Sequence, residues 1–258
     1  MDYPVVIPIK SENNAGKAKA HHPNLPDVGV GVKGEGECLL MISPRQSGKS
    51  TIISNLFLND NFYGQTMFDD VILISPTINL DRSSRFMKQR FQTYDQYSPD
   101  IIDNLLHKQM SFEEDERPEI ALVLDDMVGM LDKTIANLVT RSRHYNIKLL
   151  IISVQKFRGS VDPIIRANAT SVIVGSPFPN QRELNAIAEE YGDIFNGPKN
   201  WMKMYKMATP KRYDFCYMKL SKNPPVMFKN FEKVIGYGGS EEQESGEMEI
   251  EKNEENID

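Results

Sequence analysis

Nine residues constrain this chain more than any others: Ser43-Pro44-Arg45-Gln46-Ser47-Gly48-Lys49-Ser50-Thr51. The apolar run Cys38-Leu39-Leu40-Met41-Ile42 precedes them and has the length of a buried strand. In the segment that follows, Thr51 to Leu58, the residues Ile53, Leu56 and Phe57 fall on one helical face. Strand, short polar loop, Gly-Lys-Ser and helix, in that order, are the surroundings in which a phosphate-binding loop is expected.

The residue types follow from the chemistry. A loop wrapped around phosphates turns its backbone N–H groups inward, and Gly48 permits that close approach. A helix beginning near Gly48 and Lys49 aims the positive end of its dipole at the anion. Lys49 is expected on the β- and γ-phosphates, and the Ser50 hydroxyl on Mg2+. One position departs from G-x-x-x-x-G-K-[ST], because Ser43 stands where the leading glycine belongs. A serine there is expected to make the turn with some backbone strain. Residues 43–51 together are therefore the expected ATP site.

Hydrophobic residues make up 40% of the 258, ample for a core, and no apolar run approaches the roughly 20 residues that a bilayer demands. The start, Met1-Asp2-Tyr3-Pro4, lacks the basic and apolar pattern of a secretory leader. Cys38 and Cys216 each fall in a predicted strand, so buried free thiols in a reducing compartment are expected. The net charge of -6 is unevenly spread, since residues 240–258 hold nine acidic residues against one lysine. Such a segment buries too little apolar surface to fold. The division expected is a strand and linker over 1–36, an ATPase domain over 37–238 and an acidic disordered tail over 239–258.

Along the chain, Tyr3 to Ile9 reads as an edge strand carrying two prolines. A polar linker follows, with His21 and His22 in a solvated turn. Further strands are expected at Asp70–Ser75, Glu119–Asp126, Lys148–Val154, Thr170–Val174 and Arg212–Leu220. Helical patterns cover Ser83–Phe91, Pro99–Lys108, Asp132–Arg143 and Asn180–Tyr191. Continuous apolar runs alternating with helices predict an α/β fold with a mostly parallel sheet, flanked by helices on both faces. Polar residues gather where the strands end, which is where open α/β sheets bind ligands.

Two of those ends complete a hydrolytic site. Asp125, after four buried apolar residues, is placed to hold Mg2+, and Asp126 to polarise an attacking water. Glutamate is more usual at the second place, and Asp126 is one methylene shorter. Gln155, closing the next strand, is a candidate sensor of the γ-phosphate. An arginine offered by a neighbouring subunit would complete the charge stabilisation. Arg143 is the first choice, with Arg141 and Arg166 as alternatives.

Residues 43–51, Leu122-Val123-Leu124-Asp125-Asp126-Met127, Arg143-His144-Tyr145-Asn146-Ile147, Ser153-Val154-Gln155 and Ile165-Arg166-Ala167-Asn168 occur in one order and spacing. Over residues 37 to 195 this pattern resembles the genome-packaging ATPases of nucleocytoplasmic large DNA viruses and virophages. That group is similar to the FtsK/HerA-type phosphate-loop superfamily. The resemblance implies an additional-strand, RecA/FtsK-like sheet in which the phosphate-loop strand neighbours the sensor strand, with the Asp125 strand beyond. It further implies a pentameric or hexameric ring that pumps double-stranded DNA into capsids. The partners would be capsid or portal-vertex proteins, in the host cytoplasm at viral factories and in the virion. For DNA contact, Lys156 and Arg158 directly follow the sensor. Arg82, Arg85, Lys88 and Arg90 form the other candidate set. Two rival readings are a small phosphate-loop kinase and a nucleotide-gated capsid assembly protein.

Overall fold

A computed structural model describes residues 22–80 and 85–239 of the chain. The predicted strand at Tyr3–Ile9, most of the linker, His21, Arg82 and the acidic tail lie outside the described residues. In the first half the elements are β1 (Glu37–Ile42), α1 (Lys49–Leu58), β2 (Asp70–Ile74), α2 (Arg85–Arg90), β3 (Gln92–Tyr94), α3 (Pro99–Met110), β4 (Ile120–Leu124) and α4 (Lys133–Arg141). There follow β5 (Ile147–Val154), α5 (Pro163–Asn168), β6 (Ser171–Gly175), α6 (Gln181–Tyr191), α7 (Pro198–Ala208), β7 (Phe215–Lys219), β8 (Val226–Lys229) and β9 (Lys233–Tyr237).

The nine strands of the described residues join one sheet in the order β3-β2-β4-β5-β1-β6-β7-β8-β9. The first six in that order run parallel, and β7, β8 and β9 continue antiparallel. The phosphate-loop strand β1 therefore sits between β5 and β6, with β4 beyond β5, as the resemblance implied.

Successive side chains of a strand point to opposite faces, so a strand covered on both sides must be apolar throughout. In β5 every residue from Ile147 to Val154 is buried. Leu40, Leu122, Leu150 and Val172 enter the core beneath α4 to α7, whereas Leu39, Val123, Leu149 and Ile173 enter the core shared with α1 and α2. The helices start where short polar side chains cap them. Ser98 accepts from Asp100 N, Asp132 from Thr134 N and Ile135 N, Asp162 from Ile164 N, and Asn180 from Arg182 N. Ile135, Leu138 and Val139 of α4 are buried together.

Residues just before β1 also pack on this body. Leu25 and Val28 are buried in the α1-side core. The Tyr63 hydroxyl donates to the Pro26 carbonyl (2.9 Å) and Lys219 Nζ to that of Leu25 (3.0 Å). His22, expected in a solvated turn, stacks on Phe62. Lys148, at the start of β5, is fully buried; its Nζ lies 3.3 Å from Glu119 Oε1 and donates to the Val32 carbonyl.

Cys38 and Cys216 are free and buried, and burial pushes both thiols up, that of Cys38 to about 12. Among the described residues, no helix is long and apolar enough to cross a membrane.

Candidate nucleotide-binding site

Residues 43–48 leave the end of β1 and close on the start of α1. Ser43 is fully buried, and its N–H donates to the Val154 carbonyl (2.9 Å), holding the loop against the end of β5. The Ser43 and Ser47 hydroxyls lie 2.6 Å apart, and Ser47 Oγ donates to the Pro44 carbonyl (2.6 Å). The strain expected at Ser43 is found elsewhere. Gln46 (φ 58°) and Gly48 (φ 90°) are the left-handed residues of the loop, and Ser43 is not among them. Room for the Ser43 side chain comes from Gly175, at the end of β6. A methyl group built there would stand 1.8 Å from Ser43 Oγ.

Gly48 begins α1 without any side chain capping its first N–H groups, which leaves these donors for an anion. Lys49, at the head of that helix, is buried, with Nζ 3.4 Å from Asp126 Oδ1. The same Asp126 oxygen accepts from Gln155 Nε2 (2.6 Å), and Gln155 Oε1 accepts from Arg45 Nε (3.2 Å). A chain of contacts, Arg45–Gln155–Asp126–Lys49, thus crosses the carboxyl ends of β1, β5 and β4. Asp126 holds its place with a left-handed backbone (φ 56°), a strained state that costs about 1–3 kcal/mol and concentrates at functional sites.

Asp125 is 4% exposed. Its Oδ2 accepts from the Ser75 hydroxyl (3.2 Å), and its Oδ1 has no partner among the described groups. Burial pushes the carboxyl above its ordinary range, against the opposing pull of the Ser153 hydroxyl and the Lys49 ammonium. A buried carboxylate oxygen left without a partner, near an ammonium and at the head of an uncapped helix, fits a hard cation that takes oxygen ligands. Ser50, in the first turn of α1, is the second oxygen donor expected for such a cation.

The other expected residues divide by location. Arg143 is exposed in the 3-10 turn Ser142–Tyr145, just before β5, so eight strand residues separate it from Gln155. At ~3.3 Å per residue that is roughly 26 Å, and its own phosphate loop is beyond reach. Arg143 instead lines a polar cleft of about 410 Å³ with Lys33, Glu114, Asp115, Arg117 and His144. Arg141 is exposed at the same end of the sheet. Arg166 is engaged within the chain, with Nη1 2.6 Å from Glu190 Oε2 and its guanidinium over the Phe157 ring at 5.2 Å.

Lys156 and Arg158 are exposed on the segment after Gln155. The backbone N–H groups of Phe157 and Arg158 both donate to Glu183 Oε2, at 2.8 and 3.0 Å, which ties the segment to the first turn of α6. Arg85 opens α2, where Lys88 is exposed and donates to Asn79 Oδ1. Because α2 contacts α1 and β3, the two basic sets belong to different parts of the molecule.

Sequence reasoning gave no role of their own to Ser75, Ser153 or Gly175. Ser75 ends β2 as Asp125 ends β4, so the rule that strand ends carry ligands was the available signal. Gly175 ends β6 in the same way, but nothing local to it predicts contact with Ser43.

No protein-family model matches the chain, and no curated protein does. Solved structures do. The genome packaging NTPase B204 from Sulfolobus turreted icosahedral virus 2, in complex with sulfate, is similar with a TM-score of 0.55 at 14% identity, over 76% of this chain and 97% of that one. The same protein in complex with ATP-gammaS gives 0.53 at 15% identity, over 76% and 98%. B204, the DNA-packaging ATPase from Sulfolobus Turreted Icosahedral Virus, gives 0.51 at 16%, over 75% and 97%. At these identities the likeness establishes a shared fold.

Proposed function

We propose that this chain is an ATPase that drives double-stranded DNA into a viral capsid as one subunit of a homo-oligomeric ring. One observation carries the reading: Lys49, Asp126 and Gln155 meet at the ends of three adjacent strands, beside the unpartnered oxygen of Asp125.

The loop amides and Lys49 bind the triphosphate of ATP. Lys49 lies against Asp126, and a γ-phosphate would draw the ammonium away and free that carboxylate. Asp126 then orients the attacking water and accepts its proton. Mg2+ held by Ser50 and Asp125 would neutralise phosphate charge. Gln155 touches Asp126 on one side and Arg45 on the other, so loss of the γ-phosphate changes its contacts. Lys156 and Arg158 come next in sequence and are the proposed contacts to the DNA backbone. Contacts to phosphates suit a translocase because they carry no sequence information.

Arg143 serves the neighbouring subunit, since the length of β5 keeps it from its own site. The solved relatives described as genome packaging NTPases support the packaging role. Duplex DNA and capsid or portal-vertex proteins are the proposed partners, in the host cytoplasm and the virion.

Mixing subunits tests the reading. Arg143→Ala and Asp126→Ala proteins should each be inactive alone, and their mixture should regain DNA-stimulated ATP turnover. An inactive mixture in which rings still form would defeat the shared site. Multi-turnover hydrolysis that duplex DNA does not stimulate would favour the kinase alternative.

A further inference from the structure

Tyr213 is an aromatic residue in an unusual place. It lies in the turn between α7 and β7, 42% exposed, with a left-handed backbone (φ 74°). Bulky residues rarely adopt that conformation, and neighbouring contacts must hold it. Here they do so from both sides. Lys211 N donates to Asp214 Oδ2 (3.0 Å), Asp214 N donates to the Lys211 carbonyl (3.2 Å), and Asp214 pairs with Lys229 at 3.0 Å. Phe215 N then donates to Asn230 Oδ1 (3.0 Å), fixing the start of β7.

The turn delivers the ring to the phosphate loop. A methyl group built on Gly48 would lie 3.7 Å from Tyr213 Cδ1, ordinary contact distance. The Arg212 guanidinium carbon stands over the same ring, 5.0 Å from its centre. A solvent-exposed, backbone-strained aromatic with a cation over it thus borders the glycine that begins α1. Core packing does not call for it there, since Tyr213 belongs to neither hydrophobic core cluster.

We propose that Tyr213 is the stacking platform for the base of the bound nucleoside triphosphate, with Arg212 holding the ring in place. The proposal rests on residues 43–51 being the triphosphate site. A phosphate loop grips the charged end of a nucleotide and leaves the base to be held by whatever surface borders the loop. Tyr213 supplies a rigid π-face there. Stacking tolerates every base and grows with ring area, so purine triphosphates are the favoured substrates.

The test measures ATP hydrolysis and binding by the full chain. Removing one stacked base contact is worth about 5- to 150-fold in affinity. Tyr213→Gly, which also relieves the backbone, should raise the KM for ATP within that range, and Tyr213→Phe should restore it. Inorganic tripolyphosphate, which has no base, should bind wild type and Tyr213→Gly equally well in the absence of ATP. In unmodified protein, photolysis with 8-azido-ATP should label the peptide containing residues 209–214. An unchanged KM in folded Tyr213→Gly, or labelling only elsewhere, overturns the platform. If Lys49→Ala binds ATP as the wild type does, it is the triphosphate site that fails, a distinct result.

Discussion

Ser43 and Gly175 make a pair whose energetics can be worked out. The side chain of Ser43 fills the space where Gly175 has none. An alanine Cβ at 175 would stand 1.8 Å from Ser43 Oγ, 2.9 Å from its Cβ and 3.5 Å from its Cα. The first two distances are impossible, and the third is ordinary contact. Ser43 cannot rotate away freely, because its hydroxyl is held by Ser47, which in turn is bonded to Pro44. Gly175→Ala should therefore overpack the site, at about 1–3 kcal/mol. It should also break the Ser43–Ser47 bond, at ~1 kcal/mol. The backbone of Gly175 is not left-handed, so the alanine itself brings no conformational penalty. With glycine at position 43 only the 3.5 Å contact remains. Gly175→Ala should then cost less than ~0.5 kcal/mol, leaving a coupling of about 1.5–4 kcal/mol, at the upper end of the range for touching residues. Urea denaturation of wild type, the two single variants and the double variant measures this directly. Equal costs of Gly175→Ala in the two backgrounds would refute the steric account of why a serine is tolerated here.

Two further outcomes follow from the site. Burial raises the Asp125 carboxyl above its ordinary value, so its ionised form costs stability. That cost is absent below about pH 4, develops as pH rises through the folded value, and persists above it. Without metal or nucleotide, Asp125→Asn should melt higher than wild type at pH 7–8 but not near pH 3, while losing hydrolysis; a pH-independent difference would contradict this. Arg166→Ala should lower stability by about 1 kcal/mol through loss of the Glu190 and Phe157 contacts, with ATP turnover retained. Loss of turnover at unchanged stability would return Arg166 to candidacy as the shared arginine.

The legible parts of the sequence were those with local signals. Five of the six parallel strands, β1, β2, β4, β5 and β6, announce themselves as continuous apolar runs, because only burial on both faces allows that composition. Lys49 opens the helix after the β1 loop, Asp125, Asp126 and Gln155 stand at strand ends, and the sheet brings the last two to within 2.6 Å. Less legible were β3, with three residues, and β9, whose Gly236 and largely exposed side chains leave no alternation to read. α7 was not expected, although Gly197-Pro198 and the buried Trp201, Met204, Tyr205 and Ala208 mark its start and its inner face. Arg45's contact with Gln155 and the nearness of Tyr213 to Gly48 depend on chain folding over long separations. No local pattern encodes either.

The middle strand β5 has one further consequence. Its last residue is followed by the glutamine proposed to feel the chain's own nucleotide, and its first is preceded by the turn with the arginine proposed for the next subunit. Between them lie eight buried residues in an interior as incompressible as an organic crystal. A stiff rod with a detector at one tip and a trigger at the other passes a push along its length instead of absorbing it. In a closed circle of such rods, the firing order of the sites would need no separate relay.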